Sequence, residues 1–236
     1  MAIKAVLFDL DATLLPMDQN AFLKGYFGLL TKTVMAGGYD GAVFQRALFA
    51  GIDAVINNDG HQTNEQAFWE AFGGFYEDGA QPGEDIFNAF YRDVFIGTKA
   101  FCGFDERPRK IVDKVKEKGL VVALATAPAF PAIATETRMG YVGLTPADFS
   151  LVTSYENCSY CKPSPAYYVE VAKALGLSPT ECLMVGNDVT DDMLPAAEVG
   201  MQVFLLTEYL INKIDADINT WPNGGYDDLL AYLERL

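Results

Sequence analysis

The sequence has a single histidine, His61, and four cysteines among 236 residues. Two of these, Cys158 and Cys161, form one C-x-x-C pair, with no second such pair and no histidine pair. A structural zinc needs four ligands, so the pair alone argues against a zinc centre and reads as part of a loop. Four cysteines without a leader segment point to reduced thiols and a cytoplasmic setting. The opening residues carry one basic side chain, Lys4, and an apolar run that stops at Asp9, too short for a secretory signal. No apolar stretch approaches the length of a membrane span. Basic residues are scarce, 17 Lys and Arg against 32 Asp and Glu, giving a formal net charge of -15. With no Lys/Arg cluster, binding to nucleic acid or to an anionic membrane surface is not expected. Internal repeats and low-complexity stretches are also absent.

What remains is the composition of a globular protein, 50% hydrophobic and 21% charged, long enough for one large core or a core with a smaller companion. The apolar run at residues 3–8 reads as a buried strand that delivers Asp9 and Asp11. Strand alternation would send both to one side, at the end of the sheet where ligands bind in open α/β folds. Two carboxylates so close repel, and the site wants a cation, a shared proton or both.

From residue 19 to about residue 95 the periodicity is helical, with stripes at Phe22, Tyr26, Leu29 and Leu30 and at Val43, Ala47, Leu48 and Ile52. Thr63 and Gln66 have capping-box spacing ahead of Phe68, Phe72, Phe75 and Tyr76, and Ile86, Phe87, Phe90 and Val94 form a fourth stripe. Most of these aromatics read as bundle core, and His61, in a polar turn, reads as a surface residue. Beyond residue 104 helices and short apolar strands alternate. Strands are expected at 120–125, 149–153, 182–185 and 203–206, with helices at 106–118, 131–139, 165–175, 190–198 and 226–236. That rhythm predicts a parallel sheet covered on both faces, with the helical segment inserted after the first strand and residues 216–225 as a surface loop.

The strand ends carry polar groups: Thr126 and Ala127 after the second, Lys162 in the loop after the third, and Asn187, Asp188, Asp191 and Asp192 after the fourth. Thr126 and a backbone N–H beside it suit a phosphoryl oxygen. A hard cation such as Mg²⁺ takes oxygen ligands, which Asp9, Asp188 and a carbonyl near Asp11 would supply.

In this order the pieces resemble the haloacid dehalogenase-like (HAD) superfamily of hydrolases. Residues 9–13, Asp-Leu-Asp-Ala-Thr, are similar to its first motif, Thr126 to its second, Lys162 to its third, and Asp188 with Asp192 to its acidic fourth. The resemblance implies a Rossmann-like, doubly wound α/β core at 1–15 and 100–236, with a helical (C1-type) cap at 16–99. It implies Asp9 as nucleophile and Asp11 as general acid and base. Thr126, Ala127 and Lys162 would hold the phosphate, and Asp9, Asp11, Asp188 and Asp192 would serve the metal site. The function implied is an Mg²⁺-dependent phosphatase of a small phosphorylated metabolite, with the oligomeric state left open and a monomer compatible with it. A phosphoglucomutase-like transferase shares all four motifs, and a non-enzymatic binding protein on the same core is the reading from a different class. A dehalogenase is disfavoured by Asp11, and a phosphonatase by the lack of a motif around Lys24 or Lys32. Two departures stand out: Ala12 replaces the usual glycine, and the order Gly186-Asn187-Asp188 leaves Asn187 as an alternative metal ligand.

Overall fold

The computed structural model describes residues 2–77 and 80–236. Its centre is a parallel sheet of β1 (Ala5–Phe8), β2 (Val121–Leu124), β3 (Leu151–Val152), β4 (Cys182–Gly186), β5 (Gln202–Leu206) and β6 (Asn223–Gly224), in the order β3-β2-β1-β4-β5-β6. The order reverses direction at β1, which lies between β2 and β4 with Phe8 in register with Leu124 and Val185. In such sheets the crevice at the carboxyl ends of the strands forms at this switch point.

Strand alternation sorts the core into two faces. Val6, Phe8, Val122, Leu124, Leu183 and Val185 point to one face. There they meet apolar residues of α5 (Arg107–Glu117), α6 (Ala132–Gly140) and α9 (Tyr226–Glu234). Ala5, Leu7, Ala123, Cys182, Met184 and Leu205 point to the other, against α7 (Pro165–Ala174) and α8 (Leu194–Glu198). Every β1 side chain has zero exposure, as a central parallel strand covered on both faces requires.

Between β1 and β2 the chain forms α1 (Gln19–Ala36), α2 (Gly41–Ile56), α3 (Asn64–Gly73) and α4 (Glu84–Ala89). A π-helical turn, Phe90–Val94, and a 3₁₀ segment, Phe95–Phe101, follow. The Thr63/Gln66 capping box forms as its spacing predicts. Helices α2 and α3 pack closely because Gly51 has no side chain: a Cβ there would lie 2.6 Å from the Phe68 ring. The apolar core of these helices is continuous with one face of the sheet.

One expectation is corrected and a second is borne out with a difference in its first turn. Residues 216–225 are not simply a loop; they hold a 3₁₀ turn, Ile218–Thr220, and β6, which extends the sheet at its edge. The helix expected over 190–198 is a wide π turn, Val189–Met193, followed by α8. Pro195 has no N–H to give the Asp191 carbonyl one turn back. That carbonyl accepts instead from the Tyr168 hydroxyl, at 2.5 Å.

Candidate active site

One cleft at the carboxyl ends of the central strands is lined by Asp9, Asp11, Thr126, Ala127, Lys162, Asn187, Asp188 and Asp192. Every residue singled out from the strand ends therefore reaches one place. Gln19, Phe22 and Leu23 of α1 complete the wall.

Strand β1 stops at Phe8, so Asp9 and Asp11 lie beyond it, in a turn closed by Leu15 N–H donating to the Leu10 carbonyl at 2.8 Å. The turn needs a left-handed residue, and Ala12 supplies it with φ of 64°. That conformation costs an alanine on the order of 1–2 kcal/mol. Strand alternation therefore does not fix the two side chains, and they find different partners.

Asp9 is buried and its Oδ1 accepts from Lys162 Nζ at 2.9 Å. Lys162 is itself buried and also donates to Asp192 Oδ1 at 2.6 Å. A lysine before a helix is usually solvated; this one is held in by two carboxylates. Burial disfavours its charge, but the attraction of Asp192 and Asp9 outweighs it and raises the ammonium pKa, so it stays protonated. Burial raises the Asp192 pKa, opposed by Lys162. Asp192 Oδ2 accepts from the backbone N–H groups of Asn187 and Asp188, both at 3.1 Å. This contact explains Gly186, where a Cβ would lie 2.2 Å from Asp192 Oδ2.

Asp11 pairs through Oδ2 with Arg138 Nη1. Arg138 is fully buried on α6, its guanidinium 4.3 Å from the Phe130 ring centroid and 5.7 Å from that of Phe22. Asp11 Oδ1 is buried and has no hydrogen-bond partner among the described residues. Burial raises the Asp11 pKa, Arg138 pulls it down, and Asp9 adds to the rise. Arg138 is the site residue that motif reading missed. Its signal was a charged residue at position 138 on a helical stripe with Ala134, Thr135 and Met139, all buried.

Thr126 is buried, its carbonyl held by the hydroxyls of Thr153 and Tyr167, each at 2.8 Å. Asn187 Oδ1 accepts from Thr13 at 3.1 Å and its Nδ2 donates to the Tyr209 carbonyl at 2.7 Å. Asp188 caps the π turn, Oδ1 accepting from the amides of Thr190 and Asp191 at 2.7 and 3.0 Å. Cys158 and Cys161 are buried free thiols, and burial pushes the Cys161 pKa up to about 12, the setting of packing residues. His61 is exposed and pairs with Asp59.

For a hard cation the donor set is oxygen throughout: the carboxylates of Asp9 and Asp188, the Asn187 amide oxygen and the Asp11 carbonyl. Among the described residues, no three acidic, histidine or cysteine side chains converge as a ready-made cation cage. Asp192 is saturated by Lys162 and two amides, and Asp11 is turned to Arg138. The fit therefore rests on Asp9, with its remaining oxygen, together with the neutral oxygens and Asp188.

A buried aspartate, held by a lysine and flanked by a second aspartate, thus sits at the switch point of a parallel α/β sheet. A family model of haloacid dehalogenase-like hydrolases matches residues 3–200, and the chain belongs to that family. Solved structures share the fold at low identity. A 2-haloacid dehalogenase from Pseudomonas syringae pv. Tomato DC3000 is 17% identical over 99% of each chain, with a TM-score of 0.65. A HAD phosphatase from Thermococcus onnurineus is 18% identical over 98% of each, with a TM-score of 0.60. CbbY from Rhodobacter sphaeroides, solved with phosphate, is 17% identical over 96% of this chain and 99% of its own, with a TM-score of 0.58. No curated protein matches.

Proposed function

We propose that the protein is a phosphatase that hydrolyses a small phosphate monoester through an aspartyl-phosphate on Asp9. The observation that carries this reading is the pair of aspartates with different surroundings. Asp9 is held by the Lys162 ammonium, whereas Asp11 has a raised pKa and one carboxyl oxygen free of partners. Different partners for the two carboxylates support Asp9 as the nucleophile and Asp11 as the acid.

In the first step Asp9 attacks phosphorus and the P–O bond to the alcohol breaks. Asp11, protonated on Oδ1, gives its proton to the leaving oxygen. In the second, Asp11 takes a proton from water, which attacks phosphorus and releases Asp9 and inorganic phosphate. Lys162 faces the equatorial oxygens of the transferring group, with Thr126 and the backbone by Ala127, so much of the catalysis is electrostatic positioning. Arg138 orients Asp11 through Oδ2 and leaves Oδ1 for the proton.

The cleft has an excess of negative charge, and a phosphate dianion needs compensation there. Asp9, Asp188, Asn187 and the Asp11 carbonyl would hold Mg²⁺, which when bound neutralises charge on the phosphoryl oxygens. The helical segment at 16–99 acts as a cap, since α1 already contributes Gln19, Phe22 and Leu23 to the cleft wall.

The test is phosphate release from an aryl phosphate with and without Mg²⁺. Asp9→Asn is expected to lower turnover by at least ~10³-fold, as loss of a covalent nucleophile does. Equal rates in wild type and Asp9→Asn would remove the phosphatase reading, and a phosphosugar product in place of free phosphate would replace it with a phosphotransferase.

A further inference from the structure

Beside the catalytic cleft lies a second cavity of about 430 Å³, enclosed by α1, α2, α3, α4 and the loop before α6. It is within the range of small-molecule sites. Aromatic side chains dominate the wall, among them Tyr26, Phe49, Phe68, Trp69, Tyr91 and Phe130. The hydroxyls of Tyr26 and Tyr91 bond each other at 2.9 Å, so these two rings spend their polarity on one another. Among the described residues, the only charged ones in the lining are Glu65 and Glu84, and no lysine or arginine faces it.

The cavity adjoins the site. Leu23 lines both spaces. Along α1, Gln19 and Phe22 face the cleft, and Tyr26 and Leu30, one and two turns further, face the cavity, a step of about 6 Å per four residues. The loop after β2 does the same, with Ala127 in the cleft and Ala129 and Phe130 in the cavity. The cavity therefore borders, through α1 and the loop after β2, the cleft in which the phosphate of an ester would sit at Asp9 and Lys162.

We infer that, granted the phosphatase reading, the substrates are monoesters of bulky, ring-bearing alcohols that carry no negative charge away from the phosphate. Apolar rings fit an aromatic wall by area and by edge-to-face contact. A second phosphate or a carboxylate would meet Glu65 and Glu84 with no base to pair with, and would be desolvated against rings. Small polyhydroxy alcohols would leave most of the volume unfilled.

The experiment compares kcat/KM for ethyl phosphate, 2-naphthylmethyl phosphate and 6-carboxy-2-naphthylmethyl phosphate. The naphthyl ester is expected to exceed the ethyl ester and the carboxylated ester by at least about tenfold each, roughly 1.4 kcal/mol in each comparison. Ile52→Trp, which fills the cavity from α2, should erase the naphthyl preference while ethyl phosphate turnover stays at the wild-type level. Phe49→Lys, at a half-exposed position on the wall, keeps the assignment testable if Ile52→Trp does not fold. It should raise kcat/KM for the carboxylated ester relative to the neutral one. Hydrolysis of ethyl phosphate that depends on Asp9 but shows no ring preference would overturn the cavity's role and leave the phosphatase intact. Absence of all ester hydrolysis would remove the phosphatase. In that case 2-naphthylmethanol binding, read by fluorescence of the lining Trp69, still decides the cavity: saturable binding weakened by Ile52→Trp supports its ligand chemistry, and no binding overturns it.

Discussion

Replacing Arg138 by methionine tests the assignment of Asp11 most directly. Arg138 is fully buried, with further bonds to the Ala134 carbonyl at 3.3 Å and Thr135 Oγ1 at 3.4 Å. Methionine keeps apolar volume against Phe22 and Phe130 but removes the charge that opposes Asp11. Deleting one partner of a buried pair costs about 3–5 kcal/mol when the other charge is stranded. Asp11 is 18% exposed at its side chain and can take up a proton, since burial already raises its pKa. The expected loss is therefore at the lower end, about 3 kcal/mol at pH 8, or a Tm drop of about 6–12 °C for a chain of this size.

The sign of the pH dependence follows. A carboxyl whose folded pKa lies above its ordinary 3.8 binds more protons folded than unfolded, so its penalty grows as pH rises from 3.8 through the folded value. Without Arg138 that value rises further, and the Tm gap between variant and wild type should widen from pH 5 to pH 8. In catalysis the protonated Asp11 is the acid of the first step, so the alkaline limb of kcat/KM should move to higher pH in Arg138→Met. Thermal melts at several pH values and a kcat/KM profile on an alkyl phosphate measure both. A constant Tm gap with an unmoved alkaline limb would refute the coupling of Arg138 to Asp11.

Asp148 offers a second pH effect far from the cleft. Burial pushes its pKa up, but bonds from Lys116 at 2.6 Å, the Thr145 amide at 2.9 Å and Arg109 at 2.8 Å hold it well below 3.8. Its stabilisation is complete above pH 3.8 and is lost as pH falls through the folded value. Asp148→Asn should cost about 2 kcal/mol at pH 7, discounted because Lys116 and Arg109 are over a third exposed; acid titration of stability should then show a shallower loss below pH 4. At Ala12, relief of left-handed strain by glycine is offset by chain entropy and a lost buried methyl, so Ala12→Gly should stay within about 0.5 kcal/mol of wild type. Ala12→Val, β-branched in the left-handed region, should lose more than about 2 kcal/mol in denaturant unfolding. Gly186→Ala pushes a methyl into Asp192 and should reduce kcat at least tenfold, about 1.4 kcal/mol, with a smaller change in KM, because it displaces the partner of Lys162.

The strands, their parallel arrangement and the helical insertion were legible because burial on two faces demands apolar runs, and helices leave a period near 3.6. The catalytic candidates were legible for a related reason. Each follows a strand, and a parallel sheet gathers the ends of its strands at one edge. The sequence also announced the Thr63 capping box, which is purely local. It did not announce β6, since two residues, Asn223 and Gly224, carry no periodicity. Nor did it announce the π turn, which depends on Tyr168 from another helix reaching the Asp191 carbonyl. The partners of the two aspartates were likewise decided in three dimensions. Ala12 turns the backbone after Asp11, and the pairings Asp9 with Lys162 and Asp11 with Arg138 join residues 153 and 127 positions apart. Local pattern names the groups that carry charge; only packing decides which of them lose water together, and that loss sets their partners and their protons.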